Sequence, residues 1–295
     1  MTRDLKRRSG LKRLIVATAG DDNSVGALHL ASALARRDSA SVIALGVTTP
    51  FPRDVSPIVS TSPLVLDEKA RRALLDAIRD RVEHVPGADR WSKRAVVGDP
   101  ANVVNDIASS TRASIILMGL GHHGRLDRLF GGETTIAVIR RALLPVLVVP
   151  PRVRSLPRHA LAALDFTDAS IAAATLAASL VAGDGTLTLA HVSAFGGVKA
   201  RAGDLVDVYR AGARIKLDEA VRDMRRRTRR RIDSVMLVGE PGKALLDYAD
   251  RARCDLIALG GHEQGLMDRV LLGSVRTRVV RGAKCSVLIA PPRVD

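Results

Sequence analysis

The sequence predicts an α/β protein made of two tandem doubly wound domains, each with a five-stranded parallel sheet. Three observations lead to this prediction. The chain has 295 residues and is 46% hydrophobic, which is enough for two ordinary cores. Its second half repeats the first at a shift of 141 residues. Within each half, short apolar runs alternate with stretches of helical spacing, the pattern of parallel strands covered by helices on both faces.

The repeat is clearest where residues 97–151 fall on residues 238–292 without a gap. In this stretch 19 of 55 positions are identical. We interpret the repeat as a duplicated domain. The predicted domains are residues 1–151 and 152–295, and the Pro-rich segment PPRVRSLP (150–157) forms the linker between them.

Buried parallel strands are expected to be continuous runs of Val, Ile and Leu. The first domain contains five such runs: LIVATA (14–19), SVIALGV (41–47), KRAVVG (93–98), SIILMG (114–119) and PVLVVP (145–150). The helices predicted between them are SVGALHLASALARR (24–37), LDEKARRALLDAIRDRVEHV (66–85), PANVVNDIASSTR (100–112) and ETTIAVIRRAL (133–143). A loop rich in Pro and Ser, FPRDVSPIVSTSP, precedes the second helix.

The second domain follows the same order. Its predicted strands are ALAALD (160–165), TLTLAHV (186–192), SVMLVG (234–239), DLIALG (255–260) and SVLIAP (286–291). An Ala-rich helix, a long helix, GKALLDYADRA (242–252) and SVRTRVVRGA (274–283) alternate with them. Ligands of such open sheets bind at the carboxyl ends of the strands, where the strand order reverses. The candidate positions are therefore Ala19 and residues 119–133 in the first domain, and Asp165 and residues 260–274 in the second.

The net charge of +15 could indicate a polyanionic partner or only an arginine-rich composition. The densest cluster, RRRTRRR (225–231), follows a helical stretch that carries its own acidic residues, which favours a solvated helix end over a nucleic-acid patch. Aromatic residues make up 2% of the chain, so few rings are available for stacking bases. Nucleic acid is therefore not the expected partner.

The sequence predicts a cytoplasmic protein that does not insert into a membrane. No apolar run approaches the roughly 18 to 20 residues that cross a bilayer, and the basic start leads only into the short LIVATAG. Cys254 and Cys285 lack metal-ligand spacing and are predicted to be buried, reduced thiols. His122, His123 and His262 are interpreted as surface residues, so no structural metal is expected.

The second domain combines a strand ending in Asp165, a strand ending in Gly260, a glycine-bearing loop and Gly273-Ser274 at a helix start. This combination resembles the universal stress protein family, over essentially the whole chain and twice, as in its tandem members. The resemblance is strongest over LLGSVRTRVVRGAKCSVLIAPP. It implies a Rossmann-like fold similar to other adenine-nucleotide α/β folds, with strand order 3-2-1-4-5. It also implies that the closing strands pair across a two-fold axis, as an internal pseudo-dimer that two chains could extend into a homodimer.

Nucleotide-binding members of that family carry a glycine, two spacer residues, a second glycine, nine more residues and then Gly-Ser or Gly-Thr. The resemblance implies an adenine nucleotide in the second domain, ATP first, with ADP or AMP as alternatives. Glycines let the backbone approach a phosphate, and helix N–H groups with a hydroxyl then hold the anion. The implied site residues are Asp165, Val192, Gly260, Gly261, His262, Gly265, Gly273, Ser274 and Val275. Glu263 replaces the second glycine, and its carboxylate opposes a triphosphate.

The first domain departs further from this pattern. Ala19 replaces the Asp, His122 replaces the second glycine, and Glu133 stands at the position of the hydroxyl. An acidic side chain at a helix N-terminus is itself a good cap and dipole partner. The first domain is therefore predicted to bind no phosphate and to have a structural role.

No Ser-His-Asp order with an elbow motif, no GxxxxGK[ST] and no HExxH occurs in the sequence, so no catalytic residues are assigned. The sequence and the resemblance together predict a non-enzymatic, stress-responsive regulatory module that binds an adenine nucleotide. The alternative is a nucleotide-free basic scaffold that holds nucleic acid or an acidic protein by its arginines. Slow ATP hydrolysis is a third possibility that lacks an identifiable base.

Overall fold

The computed structural model describes residues 10–52, 62–120, 132–193, 203–261 and 274–291. The side chains of residues 132, 133, 203–206 and 274 are outside this description. Strands and helices alternate along the described residues in the predicted order.

In the first half of the chain, up to residue 150, strands alternate with helices as β1 (Arg13–Ala17), α1 (Val25–Asp38), β2 (Ser41–Thr48), α2 (Pro63–Glu83), β3 (Ser92–Val97), α3 (Pro100–Ser110), β4 (Ile115–Gly119), α4 (Gly132–Arg141) and β5 (Val146–Val149). A short 3-10 helix (Asp22–Ser24) precedes α1. Helix α2 begins three residues before its predicted start, because Pro63 occupies its first turn with a backbone angle already suited to a helix.

The second half repeats the series as β6 (His159–Ala163), α5 (Asp168–Leu180), β7 (Thr186–Ser193), α6 (Gly203–Arg227), β8 (Arg231–Val238), α7 (Pro241–Arg251), β9 (Leu256–Gly260), α8 (Ser274–Gly282) and β10 (Ser286–Ala290). Strand β8 begins three residues before its predicted start. Its added residues include Arg231 and Asp233, which pair at 3.2 Å and lie on an outer strand, where charged side chains are tolerated.

Within the described residues, the strands form one ten-stranded sheet in the order β3-β2-β1-β4-β5-β10-β9-β6-β7-β8. All neighbours inside each half are parallel. Each half therefore has the 3-2-1-4-5 order of a doubly wound sheet, which confirms the predicted fold class. Right-handed crossover helices are the usual connections in such a sheet, and they cover both of its faces.

Successive residues of each strand point to opposite faces of the sheet, so every central strand supplies two cores. In β1, Leu14 and Val16 join the core beneath α1, α2, α5 and α6, whereas Ile15 joins the core beneath α3, α4, α7 and α8. All three side chains are fully buried. This double burial explains why the strands read as continuous apolar runs rather than as alternating ones.

Acidic caps begin the matching helices α3 and α7. Asp99 accepts a hydrogen bond from the backbone N–H of Asn102 at 2.8 Å, and Pro100 occupies the first helical position. Glu240 accepts from the N–H groups of Gly242 and Lys243 at 3.0 and 2.9 Å. Each carboxylate satisfies N–H groups that have no partner within the helix, so both helix starts are fixed by the same chemistry.

The two halves join through an antiparallel pairing of β5 with β10. In its register Val287 lies opposite Val148, Leu288 opposite Leu147, and Ile289 opposite Val146. Leu147 and Leu288 are both almost completely buried. The closing strands that would otherwise be sheet edges thus cover each other inside one chain, as the internal pseudo-dimer predicted.

We predict that Leu147→Ala lowers the free energy of unfolding by about 2–5 kcal/mol, because it leaves a cavity at this junction. The matched control is Leu143→Ala, a few residues earlier, where the leucine is 63% exposed. The control should change stability by less than about 0.5 kcal/mol. Urea denaturation measures the free energy of unfolding of both variants. Equal losses of stability would contradict a stabilising role for the β5–β10 junction.

Candidate functional site

The carboxyl ends of β6, β7 and β9 bring three predicted site residues side by side. Ala163 of β6 is in register with Ala190 of β7, and Ala162 of β6 with Ala258 of β9. Asp165 follows the last residue of β6 by two positions, Val192 is the penultimate residue of β7, and Gly260 is the last residue of β9. The strand order reverses here, with β6 between β7 and β9, which is the position where open α/β sheets bind ligands.

Asp165 is exposed, and its carboxylate is oriented by the start of α5. Its Oδ1 accepts hydrogen bonds from the backbone N–H of Thr167 at 3.1 Å and from the Thr167 hydroxyl at 2.6 Å. The same hydroxyl accepts from the N–H of Ser170 at 3.3 Å and so caps α5. Asp165 and the first turn of α5 are therefore coupled through one threonine.

Phe166, next to Asp165, has a left-handed backbone with φ of +67°. This conformation costs an L-residue roughly 1–2 kcal/mol, so neighbouring contacts must hold it in place. The Phe166 ring stacks on His191, with centroids 4.7 Å apart and an angle of 28° between the rings. The ammonium group of Lys216 lies 5.8 Å from the centre of the Phe166 ring, within the range of a cation–π contact.

His191 is buried, and both of its ring nitrogens have partners. Nδ1 donates to the carbonyl oxygen of Leu164 at 2.7 Å, and the Tyr209 hydroxyl lies 3.2 Å from Nε2. A carbonyl oxygen only accepts hydrogen bonds, so Nδ1 carries the hydrogen of the bond to Leu164. This chain of contacts connects α6 to the backbone immediately before Asp165.

In the first half, glycines stand at the positions that Phe166 and His191 occupy in the second half. Gly20 follows β1 by the interval at which Phe166 follows β6, and it has a similar φ of +75°. Gly46 occupies the position in β2 that His191 occupies in β7. A Cβ atom on Gly20 would lie 2.8 Å from the Ala77 carbonyl carbon, and one on Gly46 would lie 2.6 Å from Ile78 Cδ1. Helix α2 therefore packs directly on the strand ends that a Phe–His stack covers in the second half.

Gly260 and its counterpart Gly119 end β9 and β4, where each strand meets a helix start. A Cβ on Gly260 would lie 2.6 Å from the backbone nitrogen of Ser170, and one on Gly119 would lie 2.4 Å from the Asn23 carbonyl oxygen. No side chain fits at such a distance. The recurring glycine is thus required by close packing, whether or not a ligand approaches it.

The other predicted site residues are described only in part. Gly261 is buried, and its N–H donates to the carbonyl oxygen of Ala290 at 2.6 Å. Val275, in the first turn of α8, is half-buried against the second core. Ser274 begins α8 as predicted, although its side chain is not described. His262, Glu263, Gly265 and Gly273, like His122 and His123 of the first half, lie outside the described residues.

A cavity of about 190 Å³ lies at the matching place in the first half, at the carboxyl ends of β1, β2 and β4. Its described walls are largely apolar and include Leu45, Val47 and Met118. Thr134 and Thr135 of α4 also line it. Sequence reasoning assigned this region only a structural role, because the volume depends on packing between distant segments and the resemblance directs attention to phosphate-binding residues.

The mouth of this cavity is held by a network around the 3-10 helix. Thr18 donates to the Ser24 hydroxyl at 2.7 Å and accepts from the N–H of Gly20 at 2.9 Å. Arg81 of α2 donates to the Gly20 carbonyl oxygen at 3.2 Å and pairs with Asp22 at 2.9 Å. The loop after β1 is therefore fixed from both sides.

Several arginines of the 225–231 cluster have partners in their own neighbourhood. Arg225 donates to the carbonyl oxygen of Ile232 at 3.0 Å, and Arg226 pairs with Asp223. Arg230 donates to the carbonyl oxygen of Gly183 at 2.9 Å. These contacts fix the end of α6 and support the interpretation of the cluster as a solvated helix end.

The two cysteines lie away from the strand ends described above. Both line a cleft of about 470 Å³ at the amino ends of β9 and β10. Cys254 is buried as predicted, whereas Cys285 is only half-buried. Burial raises the pKa of Cys254 from 9.0 to about 12 and that of Cys285 to about 11. Both thiols are therefore protonated at neutral pH and are poor nucleophiles.

Neither a metal centre nor a membrane span is found among the described residues. Those residues contain no group of three or more His, Cys, Asp or Glu side chains arranged to hold a metal ion. In the same ranges, every helix is too short or too polar to cross a bilayer.

Comparison with known proteins places both halves in one family. A sequence model of the universal stress protein family matches residues 10–150 and again residues 157–291. A universal stress protein from Archaeoglobus fulgidus has a similar structure, with a TM-score of 0.62, 18% identity and coverage of 95% of this chain and 96% of that one. A functionally unknown protein from Pseudomonas aeruginosa gives a TM-score of 0.61 and 17% identity, covering 96% of this chain and 93% of that one. At these identities the likeness concerns the fold.

Curated relatives match shorter segments. A universal stress protein of Methanocaldococcus jannaschii is 37% identical over 59 residues, or 20% of this chain, and the match spans only 35% of that relative's length. A universal stress protein of Mycobacterium tuberculosis is 30% identical over 131 residues, which cover 42% of this chain and 90% of the relative. The second match is the size of one of the two repeats.

We predict that Gly260→Ala destabilises the protein by about 1–3 kcal/mol without any ligand present, because the new methyl group overlaps the backbone of α5. The control is Gly212→Ala in α6, where a Cβ would meet nothing within 4 Å. That control should stabilise the helix by roughly 0.5–1 kcal/mol. Urea denaturation of the ligand-free proteins measures both, and an unchanged stability of Gly260→Ala would contradict the packing role.

Proposed function

Because the chain belongs to the universal stress protein family, we propose that it is a non-enzymatic, stress-responsive regulatory module whose second half binds an adenine nucleotide, with ATP preferred. The observation that carries the proposal is that Asp165, Val192 and Gly260 lie at or just beyond the carboxyl ends of three neighbouring parallel strands. A carboxylate can accept hydrogen bonds from a ribose, and an apolar strand end can pack against a base.

The start of α8 supplies the phosphate end of this proposed site. The first turn of α8 contains no acidic residue, so the positive end of its dipole favours an anion. At the matching position α4 carries Glu133 instead of Ser274. The proposal therefore assigns nucleotide binding to the second half alone.

Nucleotide binding would act on the protein through Asp165. A ribose hydroxyl that donates to Oδ1 of this carboxylate competes with Thr167, whose hydroxyl also caps α5. Occupation of the site would then change the first turn of α5 and the strained backbone at Phe166. A ligand shifts such an equilibrium only by its difference in affinity for the two arrangements, so the coupling is limited by that difference.

The competing function, a nucleotide-free basic scaffold, receives less support. In the arginine cluster at residues 225–231, the guanidinium groups of Arg225, Arg226 and Arg230 bond carbonyl or carboxylate groups nearby. A scaffold of this kind would bind polyanions with a steep loss of affinity as salt increases. Nucleotide binding gives Asp165, Val192 and Gly260 a role at the strand ends. The scaffold function gives these residues no role.

We predict that ATP at a hundredfold its Kd stabilises the protein by about 2.7 kcal/mol, measured by thermal denaturation. Ser274→Glu should remove this stabilisation, because it places a carboxylate at the phosphate end of the site. Asp165→Ala should weaken it through loss of the ribose contact.

The matched control is Glu133→Asp, which keeps the carboxylate of the first half and should leave the ATP effect unchanged. Full stabilisation of Ser274→Glu by ATP would contradict the placement of the phosphate. No stabilisation of the unsubstituted chain, together with salt-dependent binding of a polyanion, would favour the scaffold. ATP turnover that disappears in Asp165→Ala would contradict the non-enzymatic assignment.

A further inference from the structure

Helix α6 carries exposed apolar side chains on its outer side. We propose that this side of α6 is a self-association surface, on which α6 of a second copy of the chain packs in the antiparallel direction. The inference concerns a surface that the proposed function does not use, and it does not depend on nucleotide binding.

The apolar face of α6 extends over two helical turns and consists of Val208, Ala211, Gly212 and Ile215. In the described part of the chain, Val208 is 69% exposed and Ile215 is 60% exposed. These two residues are seven positions apart, so they lie on the same side of the helix. Ala211 and Gly212 between them are also exposed, and a Cβ atom on Gly212 would meet nothing within 4 Å. Another helix can therefore approach the centre of this face closely.

The opposite side of α6 already packs on the sheet. Ala213, Leu217 and Val221 are buried there, and the last two belong to the core beneath α1, α2, α5 and α6. A surface helix normally has one apolar side and one polar side. The apolar face is therefore a second apolar side, which the core of this chain does not require.

The matching helix of the first half has a charged outer side. The two helices can be aligned by their buried residues, which are Ile78 and Val82 in α2 and Leu217 and Val221 in α6. In this alignment three of the four residues of the apolar face are replaced in α2 by exposed charged residues, namely Lys69, Arg72 and Asp76. The apolar face is thus a property of α6 and not of the repeated fold.

A second copy of the chain is the occupant that fits this face. The closing strands β5 and β10 already pair with each other inside one chain, so a contact between chains needs another surface. A face that packs on its own copy about a two-fold axis closes the assembly at two chains. Each chain has one α6, so the expected assembly is a dimer.

The side chains in and beside the face complement an antiparallel copy. With the two-fold axis opposite Ala211 and Gly212, Val208 of each chain meets Ile215 of the other. Asp207 and Arg214 lie on one flank and are also seven positions apart. In the same arrangement the acid of each chain therefore meets the base of the other, and this contact occurs twice.

Neither of these two charges forms a hydrogen-bonded ion pair within α6. Asp207 Oδ1 lies 3.9 Å from Arg210 Nη1, and Arg214 Nε lies 3.6 Å from Asp218 Oδ1. Both distances exceed the length of a hydrogen bond. The side chain of Asp207 is 78% exposed and that of Arg214 is 60% exposed. Both groups can therefore reach a closer partner on another chain.

The test is sedimentation velocity of the full chain over a concentration series. Two helical turns from each chain bury less surface than a permanent interface, so we expect a reversible dimer with a Kd on the order of 10–100 μM. The series should therefore extend to roughly 300 μM, where such a dimer is the main species.

Ile215→Glu should weaken dimerisation at least tenfold, because it places a carboxylate in the apolar contact. The matched control is Leu143→Glu, since Leu143 is similarly exposed at 63% but lies outside α6. The control should dimerise as the unsubstituted chain does. Circular dichroism shows that each variant is folded before its association is compared.

A charge exchange tests the antiparallel direction. Arg214→Asp should weaken dimerisation at least fivefold, because it sets two carboxylates against each other at both symmetric contacts. Combining Arg214→Asp with Asp207→Arg should restore the Kd to within about threefold, since opposite charges meet again.

Three results would overturn the proposal. The first is an unsubstituted chain that stays monomeric throughout the concentration series, which would mean that something other than a second copy covers the face. The second is equal dimerisation of Ile215→Glu and Leu143→Glu. The third is a doubly substituted chain that dimerises no more tightly than Arg214→Asp alone.

Discussion

The antiparallel pairing of β5 with β10 is the constraint that organises the whole molecule. It joins two parallel five-stranded sheets into one, whose outer strands in the described part of the chain are β3 and β8. Because the two halves run in opposite directions across this pair, the carboxyl ends of their strands lie at opposite edges of the sheet. The two candidate sites are therefore separated, and each half can change its site residues without disturbing the other.

The two halves share the same backbone fold but differ in the side chains at their strand ends. At the position after the first strand, Gly20 and Phe166 share a left-handed conformation, but only Phe166 stacks on a histidine. The second half thus accepts backbone strain next to Asp165 and offsets it by aromatic packing, whereas the first half brings α2 close and leaves a cavity beyond it. The two copies of the domain therefore have the same fold, but the residues at their strand ends differ.

The fold could be predicted from the sequence because its signals are local or repeated. Continuous apolar runs indicate strands buried on both faces, and the 141-residue repeat supports each element twice. The strand order came from the family resemblance, and Gly119 and Gly260 stood out through their recurrence. The Phe166–His191 stack and the first-half cavity could not be predicted in this way. Both depend on which side chains from separate segments meet in space, and neither leaves a periodic pattern in the chain.

The central proposal is a difference between the two sites: the second accepts a phosphate-bearing ligand and the first does not. A crystal structure of the full chain grown with excess ATP tests this most directly. The account predicts a nucleotide in the second half, with its phosphates at the start of α8 and its ribose at Asp165, and no phosphate at the start of α4. A triphosphate bound beside Glu133 in the first half, with the strand ends of the second half empty, would contradict it.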